Sequence, residues 1–404
     1  MRSRSPTRKT ESGGVFFWRI NQAQYSGAGA CAEKIVLSVL EKFGLCRSSE
    51  AAGSLLIWAN CFEPKLWTTA GHCLINHFPR SVELTHKHRL CETLTRCRSR
   101  YLPRSFVLPQ EEALWHQSLQ DMGKPGDAGV FGKHWIMKPG RGGGGRGVQV
   151  LSCQSAAHIQ QAIALVKSSS SAKTPVVVSQ YVEKPLLIDG KKCDLRLYVL
   201  VTSFGSTASH QECHAADRAA GSGDLTAYIF SEGLVRFASE PFAMSCESLG
   251  NSCIHLTNNE VNARHAHGPC LGNWRLSDLF AWLRAHPEPW RPDSSEVWHR
   301  IRALAWDVLV AARPSILRAT AQQPKAHGQC FELFGFDVLL DEQLRPWLCE
   351  VNGMPSLGVG GKLDLCVDTE MLTAMFATVL DQVPKDQPED GAATFELLTA
   401  PSEP

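Results

Sequence analysis

WIMKPGRGGGGRGVQVL, residues Trp135–Leu151, sets Lys138 at the end of one apolar run and opens a second apolar run beyond Arg146 and Gly147. The pattern predicts two short strands joined by a glycine loop. Glycines let backbone N–H groups approach phosphate oxygens, and a lysine adds a point charge there. A Walker P-loop is excluded, because the G-x-x-x-x-G-K-[ST] order is missing and a strand rather than a helix follows. A protein kinase loop is excluded by the lack of H-R-D and D-F-G segments downstream. Taken alone, the segment reads equally well as a flexible hairpin turn.

Working outward, FELFGFDVLLDEQLRPWLCEVN (Phe331–Asn352) predicts two strands closing as an antiparallel hairpin. Asp337 lies on the first strand, while Glu350 and Asn352, two residues apart, share a face of the second. Carboxylate and amide oxygens converging in this way suit Mg²⁺ bridging nucleotide phosphates. A hairpin with polar residues on its wet face is the plainer alternative. In the strand DLRLYVLVTSF and the residues before it, Lys192, Asp194 and Arg196 fall on one face, with Leu195, Leu197 and Val199 on the other. Arg236, in GLVRFASEPF, adds a guanidinium on a neighbouring strand. Two arginines suit bidentate grips on carboxylates or an acyl phosphate, and equally suit ordinary cross-strand salt bridges.

The rest of the chain arranges itself around these stretches. Residues 1–14 read as a flexible Arg/Ser-rich leader; Glu33–Phe43 has helical apolar spacing and Leu55–Ala59 reads as a buried strand, giving an N-terminal α/β lobe over 15–70. A central lobe over 71–175 carries the basic run Arg80–Arg104, the glycine loop and a helix from Ser155 to Lys167 with Ser155 as its N-cap. A larger lobe over 176–383 alternates apolar strands with polar connections, includes a loop insertion at 206–224, and holds a long amphipathic helix over Ser295–Ala319. A Pro-rich, acidic tail over 384–404 is expected to be disordered. The fold class is therefore α/β (α+β).

Composition narrows the function. At about 150 residues per domain, 404 residues make two or three lobes, and a 44% hydrophobic share excludes a mostly disordered, collagenous or coiled-coil chain. Lys and Arg number 41 against 40 Asp and Glu, a net charge of +1, so an acidic partner must be held by a local basic cluster. The 15 cysteines form no C-x-x-C pair and fit reduced thiols in a cytosolic protein. No apolar run reaches the ~18 residues of a membrane span, so a soluble, non-secreted chain with no membrane partner is expected. His210, Cys213, His214, His265 and His267 lack the spacing of a zinc site. The Arg80–Arg104 run has no interleaved aromatics, which argues against nucleic acid and leaves a solvated helix face or a surface that steers acidic chains.

In order, the blocks INHFPRSVELTHKHRL, LPRSFVLPQE, WIMKPGRGGGGRGVQVL, QYVEKPLLIDGKKCDLRLYVLVTSF, YIFSEGLVRFASEPF, SLGNSCIHLTNNEVN and FELFGFDVLLDEQLRPWLCEVNGMPSL resemble the tubulin tyrosine ligase-like family, a branch of the ATP-grasp ligases, over about Asn76–Leu380. NHFPRS, LPRSFVLPQE and FSEGLVRFAS are most similar to its polyglutamylases, and glycylases share the KPG of the lysine block. The resemblance implies ATP between lobes with Lys138 and Lys192 at its phosphates, Arg146 and Gly147 in the lid over them, Asp194 among the cofactor-binding residues, and Gln180, Tyr181 and Val182 at its adenine. It implies Mg²⁺ on Asp337, Glu350 and Asn352, Thr257 and Asn258 lining the nucleotide or amino-acid site, and Arg196, Arg236 and Glu350 at the reacting groups. The implied reaction phosphorylates a carboxylate of tubulin, and free L-glutamate then attacks the acyl phosphate. A cytoplasmic, cytoskeletal monomer follows from the same resemblance, with the cilium or basal body as a possible address.

Departures from the family pattern accompany the matches. Asn259, Glu260 and Ala263 stand where a Tyr-Ser pair and a lysine are usual, with Arg264 one residue along; Ser179 and Gln180 replace a glutamine and a basic residue; Asp368 stands where a lysine is common. Two functional classes stay open: an active ATP-dependent glutamylase (or glycylase), favoured by Lys138 with Asp337, Glu350 and Asn352, and a pseudoenzyme binding acidic tails, favoured by Asn259, Ala263 and Asp368. The chain's acidic end lacks a long basic extension, so weak, salt-sensitive microtubule association is expected.

Overall fold

The computed structural model describes residues 14–18, 28–51, 53–59, 73–121, 131–205, 225–265, 272–288, 291–323, 329–358, 360–382 and 392–401. The leader up to 13, the 206–224 insertion and the tail's first stretch lie outside the described residues, as do the side chains of Ala263 and Arg264.

Three sheets carry the architecture. The first is parallel, in the order β2 (Cys46–Arg47), β1 (Gly14–Trp18), β3 (Ser54–Ala59) and β4 (Leu74–Ile75). The helix Ala28–Lys42 covers it, and Val36, Val39 and Leu40 on its inner face are fully buried. Buried apolar residues of this lobe form one cluster with Met371, Met375 and Phe376 of the helix Lys362–Leu380 and with Tyr198 and Leu200 of the large sheet. The expected boundary at 70 is corrected by β4, which pairs in parallel with β3.

The second sheet is antiparallel, in the order β5 (Ser105–Leu108), β8 (Val176–Val182), β6 (Phe131–Pro139) and β7 (Gln149–Ser152). β6 and β7 are the two strands around the glycine loop. Trp115, Trp135, Val176 and Val178 fill its core beneath the helix Ala156–Ser169, whose N-cap Ser155 accepts from the His158 N–H as its sequence predicts. β8 therefore belongs to this lobe, and the expected break after 175 falls instead beyond Val182.

The third sheet runs β12 (Trp274–Arg275), β11 (Leu225–Phe237), β10 (Lys191–Phe204), β13 (Glu332–Leu340) and β14 (Pro346–Gly353), with β9 (Leu187–Ile188) on β10 and β15 (Phe395–Leu397) on β11. β13 and β14 form the expected hairpin. The long helix Ser294–Ala321 packs on one face, with Val297, Ile301, Leu304, Val308 and Leu309 all buried among Leu195, Leu197 and Val199. β15 corrects the expectation of a disordered tail for 392–401. Its charge is neutralised where Glu396 takes Arg302 and the Trp298 indole N–H, while Phe395 packs on Phe230 and Leu398 enters the core. Local composition read as disorder because these partners lie about a hundred or more residues away.

Candidate active site

The sheet's alternation does the positioning. With Leu195, Leu197 and Val199 locked into the core, Asp194 and Arg196 are left on the opposite, cleft-facing side of β10. Register then sets Asp194 opposite Arg236 on β11, Arg196 opposite Asp337 on β13, and Asp337 opposite Glu350 on β14. A row of charged side chains thus crosses four strands and ends on two adjacent acids, Asp337 and Glu350.

Arg196 donates from Nε to Asp337 Oδ1 at 2.6 Å and from Nη2 to Oδ2 at 3.2 Å. Arg236 forks onto Asp194 and also reaches Asp337 Oδ2 at 3.0 Å. Burial alone would raise the Asp337 carboxyl, but the Arg196 and Arg236 guanidiniums override it and hold Asp337 well below the carboxylate range. Both arginines line the cleft, yet their forks close on protein carboxylates. The structure therefore brings forward the cross-strand salt bridges that the sequence had left as the alternative to a substrate grip.

Asn352 Nδ2 lies 3.3 Å from Asp337 Oδ2 and 3.4 Å from Glu350 Oε1, so the amide sits between the two carboxylates. Amide O and N are exchangeable by a flip, and the flipped form would add a third oxygen to the two acids. Hard oxygen donors of this kind fit Mg²⁺, and the three residues could hold it.

Four lysine and glycine features surround that point. Lys138 Nζ donates to the Cys349 carbonyl at 3.2 Å. Lys192 is buried, donating to Tyr181 OH and to the His255 carbonyl, each at 3.0 Å, with its ammonium 4.6 Å from the Tyr181 ring centre. Lys87 donates to the Gly142 carbonyl at 2.7 Å and pairs with Glu350 at 2.8 Å. Above them the loop turns through positive φ at Gly144 and Gly145 (66° and 71°), and a Cβ on Gly145 would lie 2.8 Å from Val261 Cγ2. Arg146 pairs across the rim with Glu260 at 3.5 Å, an exposed contact worth little.

His255 lies between these groups as a neutral ring. Burial, then the Lys192 charge, pulls its pKa down to about 4. Its Nε2 faces the Ser248 carbonyl at 3.1 Å and its Nδ1 faces Tyr181 OH at 2.9 Å. Those partners assign the proton to Nε2, so that Tyr181 donates to Nδ1 and receives Lys192 on its oxygen.

Every site residue read from the sequence lines one of three adjoining cavities. Lys138, Arg146, Lys192, Asp194, Thr257, Asn258, Asp337 and Glu350 line the first. Gln180, Tyr181 and Val182 line an apolar slot with Leu90, Ile136, Leu339, Trp347 and Leu348. Gly147, Arg196, Arg236 and Asn352 line a wider chamber beneath the loop. The Gln180 N–H donates to the Arg104 carbonyl at 2.9 Å. Ser179 likewise bonds to Ser105 at 2.7 Å.

Sequence reasoning passed over Lys87, His255 and Asp364. Lys87 falls within the basic run Arg80–Arg104, but its neighbours differ in fate: Arg80 and Arg89 both close on Glu83. Asp364 receives Asn259 and Asn273 amides at 3.0 and 2.9 Å, which gives Asn259 a structural role at the chamber floor. Asp368, buried beside it, accepts from Tyr198 OH and the Gly358 N–H, both at 2.6 Å. Burial raises Asp368 to about 6. A carboxyl raised on folding contributes stability that is complete below its unfolded value and lost as pH climbs through about 6. Asp368→Asn, which keeps an acceptor, is accordingly expected to gain roughly 2 kcal/mol over wild type at pH 8 and little at pH 4. Urea unfolding of both proteins at the two pH values measures it; equal differences at both would remove the titration from the account.

A glycine loop between two strands, set over a second sheet that presents paired acids and lysines, is the arrangement of an ATP-grasp-like α/β ligase. The chain belongs to the tubulin-tyrosine ligase family, whose model matches residues 66–207 and 220–390. Among relatives, the tubulin monoglutamylase TTLL4 of Homo sapiens is 32% identical over 338 residues, covering 78% of this chain and 24% of that protein. The Homo sapiens tubulin polyglutamylase TTLL5 is 32% identical over 321 residues, covering 76% and 22%. The Homo sapiens probable tubulin polyglutamylase TTLL2 is 32% identical over 319 residues, covering 74% and 45%. The chain thus spans less than half the length of these relatives. Among the described residues no helix is long and apolar enough to cross a membrane.

Proposed function

We propose that the protein is an ATP-dependent ligase that adds glutamate to side-chain carboxylates of acidic polypeptide tails, with tubulin as the acceptor. The observation that carries this reading is the convergence of Lys138, Lys192 and Lys87 on the Asp337–Glu350–Asn352 hairpin beneath the glycine loop. The apolar slot between β8 and β14 takes the adenine, and the loop amides with Lys138 and Lys192 hold the phosphates. Mg²⁺ on Asp337, Glu350 and Asn352 would supply charge neutralisation on phosphoryl oxygens.

The chain's own residues explain the rest. Lys87 ties the Gly142 carbonyl to Glu350, so loop closure and the position of this carboxylate are coupled. His255, kept neutral, adds no competing cation and fixes Tyr181, which fixes Lys192. Arg196 and Arg236, balanced by Asp337 and Asp194, form a rigid polar wall facing the chamber where the acyl phosphate and the attacking amine meet. The cleft needs no covalent nucleophile: the amine attacks the acyl carbonyl, the acyl C–O bond to phosphate breaks, and phosphate leaves as the nitrogen gives up its proton to solvent, with preorganised charge stabilising the transfer.

Purified protein with ATP, Mg²⁺, microtubules and labelled glutamate or glycine tests this. Glutamate incorporation into tubulin is expected. Glycine incorporation would replace the amino-acid assignment, and microtubule binding without any transfer would favour the adaptor reading that Asn259 and Asp368 suggest.

A further inference from the structure

Outside the cleft, on the far side of the glycine loop, lies a second groove between the helix Lys87–Arg96, the segment after β5 and the turn before β8. Arg89, Arg141 and Lys173 line it with Gln110, and Glu92 is the one carboxylate among its described lining residues. Arg89 already shares its charge with Glu83, whereas Arg141 and Lys173 are exposed. Arg141 is the junction, since it lines both this groove and the wide chamber that holds Arg196 and Asn352. The positive field is felt locally: burial lowers the His86 pKa, and Arg141, His88 and Arg89 lower it further.

We infer that this groove is a docking subsite for an extended acidic polypeptide, holding residues that flank the carboxylate presented in the chamber. The inference rests on the reading of the acceptor as an acidic tail and adds where that tail lies. Side chains on one face of an extended chain recur about every 6–7 Å, so successive carboxylates can meet Lys173 and Arg141 before the chain turns into the chamber. The arginine fork suits a carboxylate, and the Gln110 amide suits a backbone group. Among the described residues the groove wall holds no Trp, Tyr or Phe on which bases could stack, which favours a polypeptide over a single-stranded nucleic acid. The chain's near-zero net charge makes such a local cluster necessary, because no overall field draws the partner in.

The test is binding, measured apart from catalysis. A fluorescent oligo-glutamate peptide is titrated with wild type and with Lys173→Glu/Gln110→Glu, both positions lying outside the cleft that holds the nucleotide. Anisotropy should show the variant's affinity reduced at least fivefold, with unchanged binding of a fluorescent ATP analogue and an unchanged melting temperature. Equal peptide affinity in the two proteins, or no peptide binding by wild type, overturns the subsite. So does equal or tighter binding of a single-stranded oligonucleotide. Labelled-glutamate transfer separates the two levels of the argument: peptide binding lost in the variant while wild type transfers nothing keeps the groove and rejects the ligase reading.

Discussion

Glu350→Gln is expected to lower amino-acid transfer by on the order of a thousandfold or more while the protein stays folded and still binds nucleotide. Asp337 is held by two arginines, whereas Glu350 pairs with a lysine. Its partners are Lys87 at 2.8 Å and the Asn352 amide at 3.4 Å. A glutamine keeps the size and can still accept from Lys87, so packing is preserved, and losing the charge from this mostly buried pair costs about 1–3 kcal/mol. What disappears is one negative charge where a hard cation needs it. The readout that a merely structural role would not move is the Mg²⁺ dependence of nucleotide binding: wild type should bind the ATP analogue more tightly as Mg²⁺ is added, and the variant should lose most of that gain. Retained transfer, or an unchanged Mg²⁺ response, would falsify the role given to Glu350.

The elements legible in the sequence were those whose signal is local. Period-two alternation gave β10 and its charged face, and the turn between Leu340 and Pro346 gave the β13–β14 hairpin, because register follows from which residues must be buried. The chemistry of Asp337, Glu350 and Asn352 was readable for the same reason: strand pairing alone places them side by side. Pairings between remote segments were not readable. Nothing in THKHRL says that Lys87 reaches Glu350, 262 residues intervening, nor that His88 caps the Gly140 carbonyl at 3.0 Å. The tail failed likewise, since Glu396 looks like a solvated acid until Arg302 and Trp298 are brought to it. Nor could spacing say that the forks of Arg196 and Arg236 close on carboxylates of the same sheet, as that depends on the diagonal reach from β11 to β13.

Asp337→Asn is the change with the largest expected cost in stability. Asp337 is 2% exposed and lies against two guanidiniums that are themselves almost wholly buried. Asp194 and Asp337 together neutralise Arg196 and Arg236; removing one charge leaves a buried cation without its counterpart, which typically costs about 3–5 kcal/mol. Asparagine retains shape and one acceptor oxygen, so the loss is electrostatic rather than a cavity. The pH dependence has the sign of a depressed acid. Asp337 is held below its unfolded value, so its contribution is present at neutral pH and is lost as pH falls below the ordinary carboxylate range toward the folded value. Wild type and variant should therefore differ most between pH 6 and 8 and approach one another in strong acid. Asp368 works in the opposite direction, becoming more favourable as pH falls through about 6, so its neutral form must be taken out of the comparison by measuring Asp337→Asn in the Asp368→Asn background as well. A difference under about 1 kcal/mol at pH 7 in both backgrounds would mean that water or a repacked Asp194 compensates the arginines, and that the row of charge across the four strands is held by something other than Asp337.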